Sequence, residues 1–434
     1  MNFMKVRCAL VGFCCLTALA AQSDPLRDLN KKVQESTDGV LSFTLDERTR
    51  WEEKFGVNFG KAVNQQDMLS RVRIGVQFAP LSWLKISAMG QDGRSPFFGA
   101  VAPTSMRDSI DLQESYVQIL GRAKIGFGMN IGRQMLDFGE GRVIGTPQWS
   151  NTSRTYDEAR VYYGARKAKF EALMISPVKI LADSYNRPEL GERIWGTYDT
   201  FGDVWKKASV DAYALRHSQN KIGGWAGVGT LGTNSFGGRL YGPLPQGFAY
   251  SFEAVGQTGQ TGVLQQRAFA AFASVTKKTT FARKPLLLSA EYKVASGTKA
   301  GSTNSGTYDQ LAPANHDKFG HQDLFGWRNL KSFKSLETLN VTESFAVNVM
   351  YTNQWLYSAT DSLFNAQGVV LATSKTGTAG THVGQELDAF ATYKWGAHTF
   401  GAGFGHLFKG EFIDTATSRI NPRYFYIFQQ YTIK

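Results

Sequence analysis

From Leu41 onward, apolar residues recur at every second position in short runs, and the links between runs alternate in length. Residues 71–90 show the alternation. Val72, Ile74, Val76 and Phe78 are interleaved with Arg71, Arg73, Gly75 and Gln77; after a Pro-containing turn, Leu84, Ile86 and Ala88 are interleaved with Lys85, Ser87 and Met89. Successive side chains of a strand point to opposite faces, so each run has one greasy and one polar face. The clearest runs are 72–78, 84–91, 125–131, 159–163, 170–174, 250–254, 288–292, 345–351 and 387–393. Weaker ones fill 41–50, 110–119, 193–198, 208–215, 235–241, 268–275, 328–338, 400–404 and 424–433. Together they predict about eighteen strands, an even number within the range of outer-membrane barrels.

The links decide which face is outside. Short links fall at 79–83, 121–122, 164–166, 242–247 and 395–397; long ones fall at 91–109, 134–156, 177–192, 217–231, 296–327, 356–382 and 409–421. Short links join even to odd strands and long links join odd to even, with 259–263 the one exception. A soluble sandwich or propeller has no reason to hold that parity, whereas outer-membrane barrels pair tight periplasmic turns with long external loops. The predicted fold is therefore an all-β, transmembrane, antiparallel up-and-down barrel with its apolar face toward lipid. Trp51, Trp83, Tyr163, Tyr351, Trp355, Tyr393 and Trp395, near strand ends, fit interfacial girdles.

Residues 1–20 read as a signal peptide, with Lys5 and Arg7 ahead of an apolar run and Ala18-Leu19-Ala20 at the cleavage site. Residues 21–40 read as a polar periplasmic lead and 41–434 as the barrel. Cys8, Cys14 and Cys15 all lie in the first segment, so the processed chain has neither disulfides nor thiolates for metal or catalysis. The formal charge of +12 becomes 12 − 2 = +10 once Lys5 and Arg7 are removed. A basic exported protein meets anionic polymers or lipopolysaccharide phosphates. Past the signal, no apolar run reaches the roughly eighteen residues of a membrane helix.

Strand parity nominates lumen charges. The basic set is Arg48, Arg50, Arg71, Arg73, Lys85, Arg160, Lys169, Arg239, Arg267 and Lys293. The acidic set is Asp46, Glu114, Glu158, Glu171, Asp211, Glu253, Glu291, Glu386 and Asp388. Within these two sets, bases concentrate on the first three strands, and acids outnumber bases between residues 250 and 393. Such segregation gives a transverse field that guides anions along an arginine wall, unless the charges merely brace the barrel as ion pairs. Catalytic signatures are weak. His316, Asp317, His321 and Asp323 cluster in a long loop without zinc spacing; Ser218 beside His217 lacks an oriented base; Gly401–His406 lies in a strand and is no phosphate loop. No enzyme, metal, cofactor or nucleic-acid partner is expected.

Two stretches carry more than a pattern. IGRQMLDFGEGRVIGTPQWSNTSRTYDEARVYY (131–163) resembles the GRQ…YGDGRLIG…W.N..R.FDG.R segment of the alginate-export family of outer-membrane barrels. YDQLAPANHDKFGHQDLFGWRNL (308–330), TAGTHVGQELDAFATY (378–393) and GHLFKGEFI (405–413) are similar to the same family, and ASGT (295–298) resembles its ASGD. The resemblance implies an eighteen-stranded barrel passing an anionic polysaccharide or related acidic saccharide through an Arg- and Lys-lined lumen, with a periplasmic export partner. By motif it adds Arg133, Arg142 and Arg154 to Arg160 on the solute path, and Asp137, Glu140 and Asp157 as nearby acids. Arg133 has the parity of Ile125, Phe127, Met129 and Ile131, so either a bulge turns it inward or it sits at the outer interface. Glu158 replaces the family's Gly, and the chain ends Tyr431-Thr432-Ile433-Lys434 without the terminal aromatic usual in such barrels. The alternatives are a general or sugar-acid porin, and a structural barrel or adhesin whose loops bind a partner.

Overall fold

The computed structural model describes residues 24–60, 64–97, 102–120, 125–222 and 229–433. The signal segment 1–20 and the link 121–122 lie outside the described residues. Each alternating run becomes a strand. In the first half of the wall these are β1 (Leu41–Phe55), β2 (Asn64–Leu81), β3 (Leu84–Arg94), β4 (Asp108–Ile119), β5 (Gly126–Gln134), β6 (Tyr156–Gly164), β7 (Ala168–Lys179), β8 (Glu192–Trp205) and β9 (Ala208–Ile222). The second half comprises β10 (Gly229–Pro243), β11 (Phe248–Thr261), β12 (Leu264–Phe281), β13 (Lys284–Ala295), β14 (Leu330–Asn340), β15 (Phe345–Leu356), β16 (His382–Trp395), β17 (His398–Lys409) and β18 (Arg423–Ile433).

Every wall strand pairs antiparallel with its neighbours in the chain, and β1 pairs with β18, Leu45 opposite Ile433. The sheet is thus a closed eighteen-stranded barrel. Closure pairs the backbone groups that lipid cannot solvate. The apolar face is outside: Ile74 is 59% exposed and Phe127 80%, while Arg71 and Arg73 of the same hairpin are buried toward the lumen. The parity of the links also holds, with tight turns such as Gly396–Ala397 at the periplasmic end and long loops at the other. The external hairpin between β11 and β12 is the short exception that the sequence shows.

The lead contains a helix, α1 (Pro25–Ser36), with Asp24 as N-cap accepting from the Arg27 amide at 3.1 Å and Pro at the first turn, where its missing N–H costs nothing. Residues 41–44 of β1 run past the end of β18, which exposes a strand edge. Asn30 Oδ1 accepts the Phe43 amide there at 2.8 Å, and Tyr431 donates to Asp24. The helix therefore sits on the closing seam of the barrel.

The lumen is not an empty tube. The external loops 135–155 and 296–329 fold inward and build a buried apolar cluster with the wall, including Phe138, Ile144, Leu311, Phe325 and Trp327 against Tyr198 and Phe272. A parallel bridge joins the two loops at Ile144 and Ala312, and the Tyr156 hydroxyl donates to the carbonyls of Gly145 and Ala312 at 3.1 and 3.2 Å. These two loops occupy part of the barrel interior.

Candidate functional site

Arg48 on β1 lies directly opposite Arg71 on β2, and Arg73 lies opposite Asp46. Like charges facing each other across a strand pair repel, so a ladder of this kind requires acceptors in front of it. Two carboxylates help: Asp46 takes Arg71 at 2.6 Å and Glu52 takes Arg50 at 2.6 Å. The rest come from loop 135–155. Arg48 donates to the carbonyls of Gln148, Trp149 and Ser150 at 3.1, 2.9 and 3.1 Å, Arg50 to that of Trp149 at 2.7 Å, and Arg71 to that of Gln148 at 3.1 Å. Arg73 donates to Gln148 Oε1 at 3.0 Å and Ser153 Oγ at 2.7 Å. Four guanidiniums against two carboxylates leave the patch positive, and neutral backbone and side-chain oxygens fill the remaining forks. Trp149 completes the contact: Arg50 lies 4.0 Å over its ring, and the His316 ring stacks on it at 4.7 Å.

The same loop is clamped on the far wall. Arg142 pairs with Glu140 at 3.1 Å and with Glu291 on β13, and lies 3.8 Å over Phe272. Burial works against the Arg142 charge, but Glu291 and Glu140 outweigh it and raise its pKa. Asp137 accepts the Thr146 amide at 2.7 Å, and burial raises its carboxyl above the ordinary range. Glu114 accepts the Met135 amide at 2.9 Å, and Arg154 reaches the Pro313 carbonyl at 3.0 Å. Phe138 stacks on Tyr198 at 4.4 Å. Gly139, at φ +57°, passes where a β-carbon would come 2.9 Å from the Tyr198 hydroxyl, so only glycine fits.

Most other lumen charges are paired. Arg239 binds Asp211 at 2.9 Å, with Glu140 at 3.6 Å. Arg160 is held by Glu158 and Glu171, both at 2.7 Å, and Lys169 also binds Glu171. Glu253 accepts from Tyr213 at 2.8 Å, and Lys293 binds Glu291 at 2.5 Å. Lys85 is half-buried on the lumen side of β3. Glu386 and Asp388 are buried on β16 against loop 296–329, where they accept the amides of Gln322 and His321. These charges brace the barrel as ion pairs and hydrogen bonds across the lumen face.

Three expectations are corrected. Arg133 and Asp157 form an ion pair at 2.7 Å on the outer face, where Arg133 also reaches the Asn186 carbonyl at 3.2 Å. No bulge interrupts β5, so its parity keeps Arg133 off the solute path, and Asp157 is not a lumen acid. Arg267 is exposed with the parity of outward Phe269, because Ala268, Ala270 and Phe272 point inward beneath Trp327. The alanines on both faces of β12 obscure that parity in the sequence.

Other contributors went unnoticed. Lys334 points inward beside outward Phe333 and reaches the Asp317 carbonyl at 3.1 Å. Asp309, in a long polar loop, is fully buried and joins His217 at 2.7 Å, Thr233 at 2.9 Å and Arg328 at 3.3 Å. Burial opposes its charge, yet His217 and Arg328 hold its carboxyl well below the usual range. Ser218 faces away from His217, as strand alternation requires. No group of metal-ligating side chains is found among the described residues.

A cleft of about 470 Å³ between the wall and the inward loops is lined by Arg50, Lys54, Trp149, Arg154, His316 and Tyr424 among others. The family profile described as Alginate export matches residues 40–427. The chain belongs to the alginate-export family. Solved structures of the same fold come from Pseudomonas aeruginosa. OccK8 (OprE) is 9% identical with a TM-score of 0.61, covering 91% of this chain and 98% of that one. OpdK with vanillate is 8% identical with a TM-score of 0.62, covering 91% and 98%. OccD3 (OpdP) is 11% identical with a TM-score of 0.61, covering 91% of each. No curated protein matches. This member of the alginate-export family is an outer-membrane barrel of porin type, located in the bacterial outer membrane.

Proposed function

We propose that the chain is a passive channel for an acidic saccharide, alginate or a related uronate-bearing molecule, drawn along the arginine face of β1 and β2. The observation that carries this reading is the use of the four guanidiniums. Arg48, Arg50 and Arg71 already bind a row of backbone oxygens at 2.7–3.1 Å and Arg73 binds side-chain oxygens at 2.7–3.0 Å, positions where a carboxylate would offer the same acceptors with added charge. Weak, repeated sites of this kind let a chain slide, where one tight site would stall it. Arg160 and Arg239 extend the basic groups beyond the ladder, each restrained by its own acids.

Replacing Arg71, Arg73 and Arg160 together with Ala is expected to lower anion-over-cation permeability in planar bilayers under a salt gradient. Unchanged reversal potentials would remove these residues from the path. The inward loops favour a second reading, a porin for small sugar acids, because they narrow the lumen. Oligouronates of increasing length separate the two: a polymer channel shows transient block by long chains, whereas a small-acid porin responds only to the shortest.

A further inference from the structure

Glu386 and Asp388 stand on the lumen face of β16 at 0% and 1% exposure. Two residues apart on one strand, their side chains share that face, and Glu386 Oε2 and Asp388 Oδ1 are buried with no hydrogen-bond partner among the described residues. Two carboxylates are acceptors only, so neither can satisfy the other unless one carries a hydrogen. Burying both as anions side by side would be costly.

Two glycines make the room. Gly320, at φ +117°, brings loop backbone so close that a β-carbon would lie 2.4 Å from the Glu386 carboxyl; at Gly405 on β17 one would lie 2.2 Å from Asp388 Oδ1. The His321 and Gln322 amides then donate to Asp388 and Glu386 at 3.3 and 3.1 Å. The charged neighbours are engaged elsewhere. His316 pairs with Asp323 at 2.9 Å, Lys318 with Asp317 at 2.8 Å and Arg50 with Glu52 at 2.6 Å; Lys334 binds a backbone carbonyl. Tyr426 turns its hydroxyl to His321 at 3.3 Å, and burial together with His316 holds the His321 ring neutral down to about pH 3. The strands on either side place Thr352, Gly405 and Leu407 opposite the pair, which are uncharged.

We infer that Glu386 and Asp388 form a proton-binding site. One proton shared by the two carboxyls fastens the Gly320–Gln322 segment to the lumen wall, and its loss to solvent as pH rises releases that segment and widens the channel. Nothing in this depends on which solute passes.

Three measurements on the full-length protein test it. Infrared spectra of the wild type at neutral pH are expected to show a protonated-carboxyl carbonyl band that is absent from E386Q and D388N; its absence from the wild type overturns the site. Trypsin cleavage at Lys318 is expected to rise several-fold from neutral to alkaline pH in the wild type. In E386Q, whose amide supplies the bridging hydrogen without ionising, cleavage stays low throughout; in G320A, where the backbone cannot approach, it is high throughout. Single-channel conductance is expected to follow cleavage. Identical pH profiles in the wild type and E386Q overturn the latch, and cleavage that shifts without a conductance change keeps the proton site while overturning the widening.

Discussion

At the residue scale, the lumen balances charges that the wall alone would set against each other. Asp309 is the clearest anchor, since it fastens loop 296–329 to β9 and β10 through His217 and Thr233. D309N leaves His217 and Arg328 short of a buried charge partner, and removing one member of such a group costs about 3–5 kcal/mol. Urea unfolding and proteolysis within 296–329 are expected to show that loss. The acid dependence has a definite sign. The folded-state value of Asp309 is depressed, so its contribution is present above the ordinary carboxylate range and disappears only as pH falls through the lowered value. The wild-type loop should therefore resist mild acid and loosen in strong acid. Some of this scale is legible in the sequence. The lumen-facing arginines follow from alternation with Val72 and Ile74, and Arg133 is outward by the same rule, although its motif draws it toward the pore. Asp309 gives no such signal, because a loop has no period.

At the element scale, loop 135–155 determines what the arginine ladder can do. Its carbonyls occupy the forks that a solute would use, and Trp149 seats the loop against Arg50 and His316. Deleting residues 147–153 should raise conductance and also anion selectivity, since the guanidiniums are bared rather than lost. The contrast with the triple arginine variant, where selectivity falls, is the informative comparison. W149A should act in the same direction and less strongly, measured in the same bilayers. The length of this loop is plain in the sequence, and so is its external end of the barrel. Its inward course is not, because contacts that draw it in come from strands far away in the sequence, such as Arg71 on β2 and Glu291 on β13.

At the scale of the whole molecule, the wall behaves as a surface solvated by lipid. I74R places a charge on that surface, and near the bilayer midplane such a change costs about 2–4 kcal/mol, tapering toward the interfaces. Heat-modifiability on gels and urea midpoints in vesicles should register the loss, whereas a water-facing site tolerates the same substitution. The barrel could be read from the sequence because strand period and link parity are properties of the whole chain. They survive even where single strands such as β12 are ambiguous.

The external rim is uneven. Between β11 and β12 the chain turns back within Gly262 and Val263, and Val263 is 90% exposed, while the other external links are longer. The mouth therefore has a spout. A flexible molecule crossing it would meet the lowest parapet on that side, and its traffic between cell surface and pore would acquire a compass bearing that an evenly fenced opening lacks.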